Sequence, residues 1–344
     1  MKVGVVGASG YAGTELLRLC AGHPEFEVVV ATAGSHRDQP VAAHAPSLAA
    51  AYPSLSFTAT EAPALDGLDL VFLALPHGQS QHLVPDIVGK AGVVVDLAAD
   101  FRLHDPGLYP TWYGEPHVAP ELLDRFVYGL PEFERDDLTG ATLVAAPGCY
   151  PTAALLALTP LVEAGALAVS GPGTAPLIVD AASGVSGAGR SLRENLLFGS
   201  VDGDFVAYGL LDHRHTPEME QGLGASVLFT PHLAPMTRGI LATCYGRPSD
   251  PGSLTTADAM GILHDRYDSE RFVVVTDQPP STKATYGSNC AHVSVRVDPR
   301  TGWVLAFAAL DNLVKGAAGQ AVQCANLATG LPEGTGLPVA GVAP

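Results

Sequence analysis

The chain predicts an α/β protein of two domains. Strand and helix patterns alternate over the first 148 residues, a glycine-rich turn joins the first strand to the first helix, and strand-like runs dominate after residue 149. A length of 344 residues suits two domains sharing an interface, and 47% hydrophobic residues are enough for sizeable cores.

Residues 2–6 read as a short buried strand, 14–21 as a helix bearing Leu16, Leu17 and Leu19, and 26–31 as a second strand. Further strands fall at 69–75 and 93–97, with a helix over 81–90 between them. This alternation predicts a parallel, doubly wound sheet. Residues 142–146 form another strand, which runs through the turn PGCYP into a helix over 152–164. Beyond it, 177–180, 226–230, 240–246, 272–276, 292–297 and 303–309 read as strands of a mixed or antiparallel sheet with helices on one side, and 298–302 (DPRTG) as a hairpin turn. A helix over 315–328 can pack back on the first domain. The expected division is 1–148, completed by a C-terminal helix within 315–330, then 149–314, then a tail of little regular structure over 331–344.

The formal net charge of −17 argues against nucleic acid and against an anionic membrane as partners. Anionic small molecules remain possible, because a local arginine outweighs the mean charge within a Debye length of roughly 8 Å. The five cysteines are scattered, with no zinc-type pair and a poor count for disulfides. With no signal-peptide pattern and no apolar run of transmembrane length, a reduced cytoplasmic protein is expected.

GASGYAG (Gly7, Ala8, Ser9, Gly10, Tyr11, Ala12, Gly13) follows the first strand and opens a helix. Such glycines allow a tight turn and bring backbone amides close to a pyrophosphate. The spacing is GxxGxxG, which by itself is a weak signal; its place in a βαβ unit strengthens it. After the second strand comes ATAGSHR, where an NAD-binding fold usually offers an acid to the ribose. Ser35 and Arg37 stand there, and a hydroxyl with a guanidinium suits a 2′-phosphate, so NADP(H) is the expected cofactor.

Cys149 lies in APGCYPT between a buried strand and a helix, where helix N-terminal amides favour a thiolate. The other four cysteines lie within helix or strand patterns and read as inert. HRHTPEME holds His213, His215 and Glu218 ahead of a helix that starts at Thr216-Pro217. One histidine can serve as general acid; a metal site is the rival reading, but no second Cys/His cluster completes one. DAASGVSGAGR offers the hydroxyls and amides of Ser183, Gly184, Ser186 and Gly187 to an anion or cofactor. LPHG (Pro76, His77, Gly78), DFRL with Arg102, and PHLAPMTRG with His232 and Arg238 also look placed for function.

Taken in order, GASGYAGTELLRL, LPHG, DFRL, PGCYPTAA, SGVSGAGR, HRHTPE, TPHLAPMTRGI and DNLVKGAAGQAVQ span nearly the whole chain and resemble the N-acetyl-γ-glutamyl-phosphate reductase family of arginine biosynthesis. That resemblance implies a Rossmann-type NADP-binding domain and an α/β catalytic and oligomerisation domain, assembled as a homotetramer or homodimer. It places the nucleophile on Cys149 and the acid–base on His213. It puts Arg102, Tyr208, His215 and Glu218 around the substrate and Asn312 near the nicotinamide. The implied substrate is N-acetyl-L-glutamyl 5-phosphate. Some members carry Asn before Pro-Gly-Cys and Lys before Ser-Gly-Val-Ser-Gly, where this chain has Ala146 and Ala182. Aspartate-semialdehyde dehydrogenase and a lysine-pathway acyl-phosphate reductase are the alternatives within the class. A non-catalytic NADP-sensing module is the alternative outside it, and the intact Cys149 and His213 weigh against that module.

Overall fold

The computed structural model describes residues 1–169 and 177–342. The chain divides into two compact units. The first takes Met1–Pro147 and returns for Ala317–Leu337; the second takes Gly148–Gly316 and the chain end from Pro338.

In the first unit β1 (Lys2–Val6), β2 (Glu27–Thr32), β3 (Leu70–Leu73), β4 (Val93–Asp96), β5 (Val127–Tyr128) and β6 (Leu143–Ala145) form one sheet in the order β2-β1-β3-β4-β6-β5. Every neighbouring pair is parallel. All residues of β3 and β4 are buried, because helices cover a parallel sheet on both faces and leave no solvent side to alternate with. Strand order reverses at β1: β2 lies on one side of it and β3 on the other. The crevice outside the carboxyl ends at such a reversal is where α/β sheets bind ligands.

Helix α1 (Tyr11–Ala21) starts three residues before the expected point, inside the glycine loop, and buries Leu16, Leu17, Leu19 and Cys20. Helix α2 (Ser80–Ile87) follows β3. Helix α3 (Pro131–Leu138), which the pattern did not announce, opens on a proline whose missing N–H costs nothing at a helix start.

In the second unit β7 (Leu177–Gly184), β8 (Val206–Ala207), β9 (Val227–Ala234), β10 (Ile240–Gly246), β11 (Val273–Val275), β12 (Ala291–Val297) and β13 (Val304–Leu310) pair in the order β11-β12-β13-β10-β7-β9-β8. Two pairs are parallel and the rest antiparallel, so the sheet is mixed. The expected hairpin forms: Gly302 donates to the Asp298 carbonyl at 2.8 Å with a φ of +71°. Helices α4 (Cys149–Glu163) and α6 (Thr256–Tyr267) pack on the sheet, with α5 (Thr216–Leu223) against α4. The strands alternate accordingly. In β10 Ala242 and Cys244 are buried, while Leu241, Thr243 and Tyr245 face away and stay half-buried. Helix α6 was legible but overlooked. Thr255 and Asp258 form a reciprocal capping box ahead of buried Ala259, Met260, Leu263 and Tyr267.

The expected single helix over 315–328 is two pieces. A π-helical turn, Val314–Ala318, ends the second unit's run, and α7 (Gly319–Ala328) belongs to the first unit. Helix α7 is buried almost all round, and its polar side chains are paired there. Gln320 Nε2 donates to the Gly129 carbonyl at 2.8 Å, and Asn326 Oδ1 meets His23 Nε2 at 3.0 Å. The tail has no helix or strand among its described residues; residues 343–344 lie outside them. No helix among the described residues is long and apolar enough to cross a membrane.

Candidate active site

Three loops of the first unit gather at the carboxyl ends of β1 and β3. Gly7 has a φ of +76°, and a Cβ there would lie 2.4 Å from the Ala74 carbonyl oxygen; a Cβ on Gly13 would meet the Gly7 oxygen at the same distance. Both are demanded by the protein itself. Gly10 differs: its φ of −72° suits any residue, and a Cβ would touch only the Gly7 oxygen, at 3.5 Å. Empty space above a helix N-terminus is what a pyrophosphate needs, so the loop fits a dinucleotide. The loop is braced from below, where His44 Nε2 donates to the Ser9 carbonyl at 2.9 Å. Tyr11 and Ala12 open α1, with Tyr11 exposed.

Beyond β2, Ser35 and Arg37 are exposed, and Arg37 Nε stands 3.6 Å from the Asp38 carboxylate, itself 84% exposed. Asp38 was missed in the sequence although it directly follows Arg37. The guanidinium is therefore partly neutralised, yet an exposed pair of this kind is weak and yields to a better anion.

The LPHG turn after β3 is held by a buried carboxylate. Asp100 accepts from the Gly78 amide at 2.8 Å and the Gln81 amide at 3.0 Å, and its Oδ1 is 2.6 Å from His77 Nδ1. Burial opposes ionisation of Asp100, but the His77 ring and the two amides outweigh it and hold the carboxyl below its ordinary range. Pro76 stays exposed at the start of the turn. Arg102, expected at the substrate, is buried; its Nε donates to the Ala146 carbonyl at 2.8 Å and its Nη2 to the Leu97 carbonyl at 2.7 Å. Those bonds fix the ends of β4 and β6.

Beside them Asp96 is wholly buried, accepting from Ser80 Oγ and the Ala98 amide. Burial, then the Asp100 charge, push it up to about 7. A carboxyl raised above its ordinary 3.8 adds stability that is fully present below that value and is lost as pH rises through about 7. Asp96→Asn is therefore expected to raise the melting temperature at pH 8 and leave it unchanged at pH 4. Equal shifts at both pH values, read by calorimetry, would assign the effect to packing instead.

In the second unit Cys149 is the first residue of α4 and is half-buried, whereas Cys20, Cys244, Cys290 and Cys324 are buried. Burial pushes the Cys20 and Cys244 thiols up to about 12, which leaves them inert. The helix was expected to begin at residue 152. It begins at the cysteine because Pro151 sits in the first turn, where its missing N–H costs nothing.

Around Cys149 stand Tyr150, His213 and His215. The Tyr150 ring lies 5.7 Å from His213 and 5.9 Å from His215, both edge-on, and its hydroxyl donates to the His232 carbonyl at 3.1 Å. Tyr208 donates to the Tyr150 oxygen at 3.2 Å. Burial pushes Tyr208 up to about 12 and Tyr150 higher, so both stay neutral. His213 Nδ1 accepts from the His215 amide at 3.1 Å, which leaves the ring proton on Nε2. Burial, then the Arg214 charge, lower His213 to about 4.

Glu218 is fully buried, with Oε1 accepting from the Gly148 amide at 2.8 Å. Asn312 is spent on both ends: Oδ1 accepts from the Gly239 amide at 2.7 Å and Nδ2 donates to Ser186 Oγ at 2.9 Å. Ser183 donates to the Gly184 carbonyl, and Gly187 is exposed beside it. Arg238 lies 3.7 Å from the buried Asp311 carboxylate. His232 pairs with Asp180 at 3.1 Å and stacks on Phe205. The motif residues of each unit thus cluster within that unit. Tyr150, Asp96 and Asp100 are the members that sequence reasoning did not single out.

A half-buried cysteine at a helix start and a glycine loop after β1 that fits a dinucleotide describe a class of enzyme, and the likeness to known proteins narrows it. Residues 2–141 match the family described as semialdehyde dehydrogenase, NAD binding domain, and residues 149–312 its dimerisation domain. The N-acetyl-gamma-glutamyl-phosphate reductase of Symbiobacterium thermophilum is 47% identical, covering 99% of this chain and 98% of that protein. The chain belongs to the N-acetyl-γ-glutamyl-phosphate reductase family. The reductase of Geobacter sulfurreducens is 46% identical over 98% of both chains. A crystal structure of aspartate semialdehyde dehydrogenase with NADP from Candida albicans has a TM-score of 0.69 over 96% of this chain and 99% of that one, at 17% identity, and so shares the fold. Within the reductase family the two units correspond to the nucleotide-binding and dimerisation halves.

Proposed function

We propose that the chain reduces N-acetyl-L-glutamyl 5-phosphate with NADPH to N-acetyl-L-glutamate 5-semialdehyde and phosphate, in the biosynthesis of arginine. The observation that carries this is a half-buried cysteine on the first turn of a helix, beside two histidines, in a chain 47% identical to a reductase of that name.

Cys149 Sγ, as thiolate, adds to the acyl carbon. The bond to the phosphate oxygen breaks, and a thioester remains on the enzyme. NADPH, when bound, supplies the hydride that takes this thioester to the aldehyde level. His213 presents Nε2–H to the acyl oxygen as negative charge gathers there, and needs no cationic state to do so. Collapse of that oxyanion breaks the C–S bond and returns Cys149 as thiolate. Tyr150 and Tyr208, kept neutral, orient the imidazoles. Arg238 and the Ser183–Gly184 turn are proposed for the substrate's anionic groups. Ser186, Gly187 and Asn312 form the proposed support for the nicotinamide.

The test is the reverse reaction, with phosphate, NADP and a panel of semialdehydes followed at the NADPH absorbance band. N-acetylglutamate semialdehyde should exceed aspartate semialdehyde and longer acylated analogues by a wide margin. Preference for aspartate semialdehyde would overturn the assignment.

Cofactor choice has its own test. Arg37→Ala is expected to weaken NADPH binding roughly ten- to hundredfold, the worth of a lost charge-assisted contact, and NADH binding much less. Fluorescence titration of both cofactors reads this, and equal losses would mean that the loop does not read the 2′-phosphate.

We also propose a homodimer or homotetramer in the cytoplasm. Leu228 on the open face of the second unit's sheet is 41% exposed, and Leu192, Phe198, Phe205 and Leu211 project from the segment before α5. Apolar exposure on that scale marks an interaction surface. Sedimentation equilibrium distinguishes the two assemblies.

A further inference from the structure

The turn that carries the nucleophile is fixed on three sides. Thr152 Oγ1 donates to the Gly148 carbonyl at 2.9 Å. A Cβ on Gly316, within the π-helical turn, would lie 2.8 Å from Cys149 Cβ, and one on Gly148 would lie 2.5 Å from His215 Nε2. The remaining tie is the Glu218 carboxylate on the Gly148 amide, across a separation of 70 residues. Glu218 lies in the first turn of α5, and Gly148 is the N-cap of α4. A buried carboxyl group without a partner is costly, and here Oε1 of Glu218 accepts from the N-cap amide of α4, an end of the helix that favours an acceptor.

We propose that Glu218 is a positioning residue, holding the Gly148–Cys149 turn so that Sγ is aimed at the acyl carbon, and that it is not a substrate ligand. This rests on Cys149 being the nucleophile. Substrate chemistry supports it. An N-acylated glutamyl phosphate carries a carboxylate and a phosphate but no ammonium group, so a carboxylate finds repulsion everywhere except at the acetamido N–H. Gly148 directly precedes Cys149, so loosening the Glu218–Gly148 tie frees the half-buried thiol for attack by a small reagent.

The experiment compares full-length wild type, Glu218→Gln and Glu218→Ala by steady-state kinetics in the semialdehyde direction and by the rate of iodoacetamide alkylation of Cys149 between pH 6 and 9. The glutamine keeps an acceptor oxygen and loses only the charge, so it preserves the fold where alanine does not. Glu218→Gln should lower kcat about tenfold, the scale of a weakened charge-assisted bond. KM should stay within about twofold, since an aiming group acts on the transition state rather than on binding. Alkylation near pH 6–7 should become faster. A raised KM with unchanged kcat and unchanged alkylation would make Glu218 a substrate ligand and overturn the proposal, as would a variant indistinguishable from wild type. Alkylation is read without turnover, so failure of the nucleophile assignment itself shows separately, as activity persisting after Cys149 is fully alkylated.

Discussion

Cys149→Ser should fold as wild type and lose turnover by roughly 10⁴-fold or more, the scale on which enzymes feel the loss of a nucleophile. The fold is expected to survive because serine has nearly the same shape and is smaller, so the narrow gap to Gly316 is not strained. Chemistry is expected to fail because an alcohol at this position is neither an alkoxide at neutral pH nor as polarisable as sulfur. Intact mass spectrometry supplies an independent reading. Wild type incubated with substrate and no NADPH should gain the mass of the acyl group, and Cys149→Ser should gain nothing. Alanine in place of Cys20 or Cys244, whose thiols burial keeps protonated, should leave most of the activity. Wild-type turnover in Cys149→Ser would rule out the thioester route.

How far these residues were legible depended on whether their partners are local. The glycine loop could be read because β1, the turn and α1 are consecutive and Gly13 answers to Gly7 and Ala8 within that segment, although Gly7 itself answers to Ala74 after β3. The setting of Cys149 could be read for the same reason, as a glycine–proline turn between an apolar strand and a helix. The class of the first sheet followed from the alternation of strand and helix patterns, with which the complete burial of β3 and β4 agrees, and the alternating burial of β10 agrees with a sheet covered on one face. What stayed hidden was pairing at long range. The Asp100 contacts to Gly78 and Gln81 join two loops, and nothing at either loop announces the other. The substrate role of Arg102 rests on the family resemblance, and its bonds to the Leu97 and Ala146 carbonyls, which tie the ends of two strands, could not be read from DFRL alone. For Glu218 a signal was available. It stands three residues after His215 at a helix start, so both project on one side of the first turn.

His213→Ala should lower kcat by about 10²–10³, the cost of removing one donor aimed at a developing oxyanion. The neutral limb of the pH–rate profile should remain. The argument turns on the proton. The His215 amide occupies Nδ1, so neutral His213 carries hydrogen on Nε2, and burial followed by the Arg214 charge brings its pKa down to about 4. Above pH 5 the ring is therefore uncharged and its donor is always present, so activity should not fall as pH rises from 5 to 8 on account of this residue. Below about pH 4 the ring gains a proton on Nδ1, opposite the His215 N–H, and the contact that orients it is lost. Stability follows the same sign: a histidine whose folded value is depressed gives a contribution present at neutral pH and lost as pH falls through its unfolded value of 6.5 towards about 4. Steady-state rates for wild type, His213→Ala and His215→Asn across pH 5–9 distinguish the roles. His215 packs against Gly148, so its variant should disturb KM and the nucleophile turn together. If His213→Ala erases a limb between pH 6 and 8, the imidazole is charged in the reacting complex and acts as a proton donor in full. If His215→Asn erases that limb instead, the proton belongs to His215, and His213 serves only to hold it.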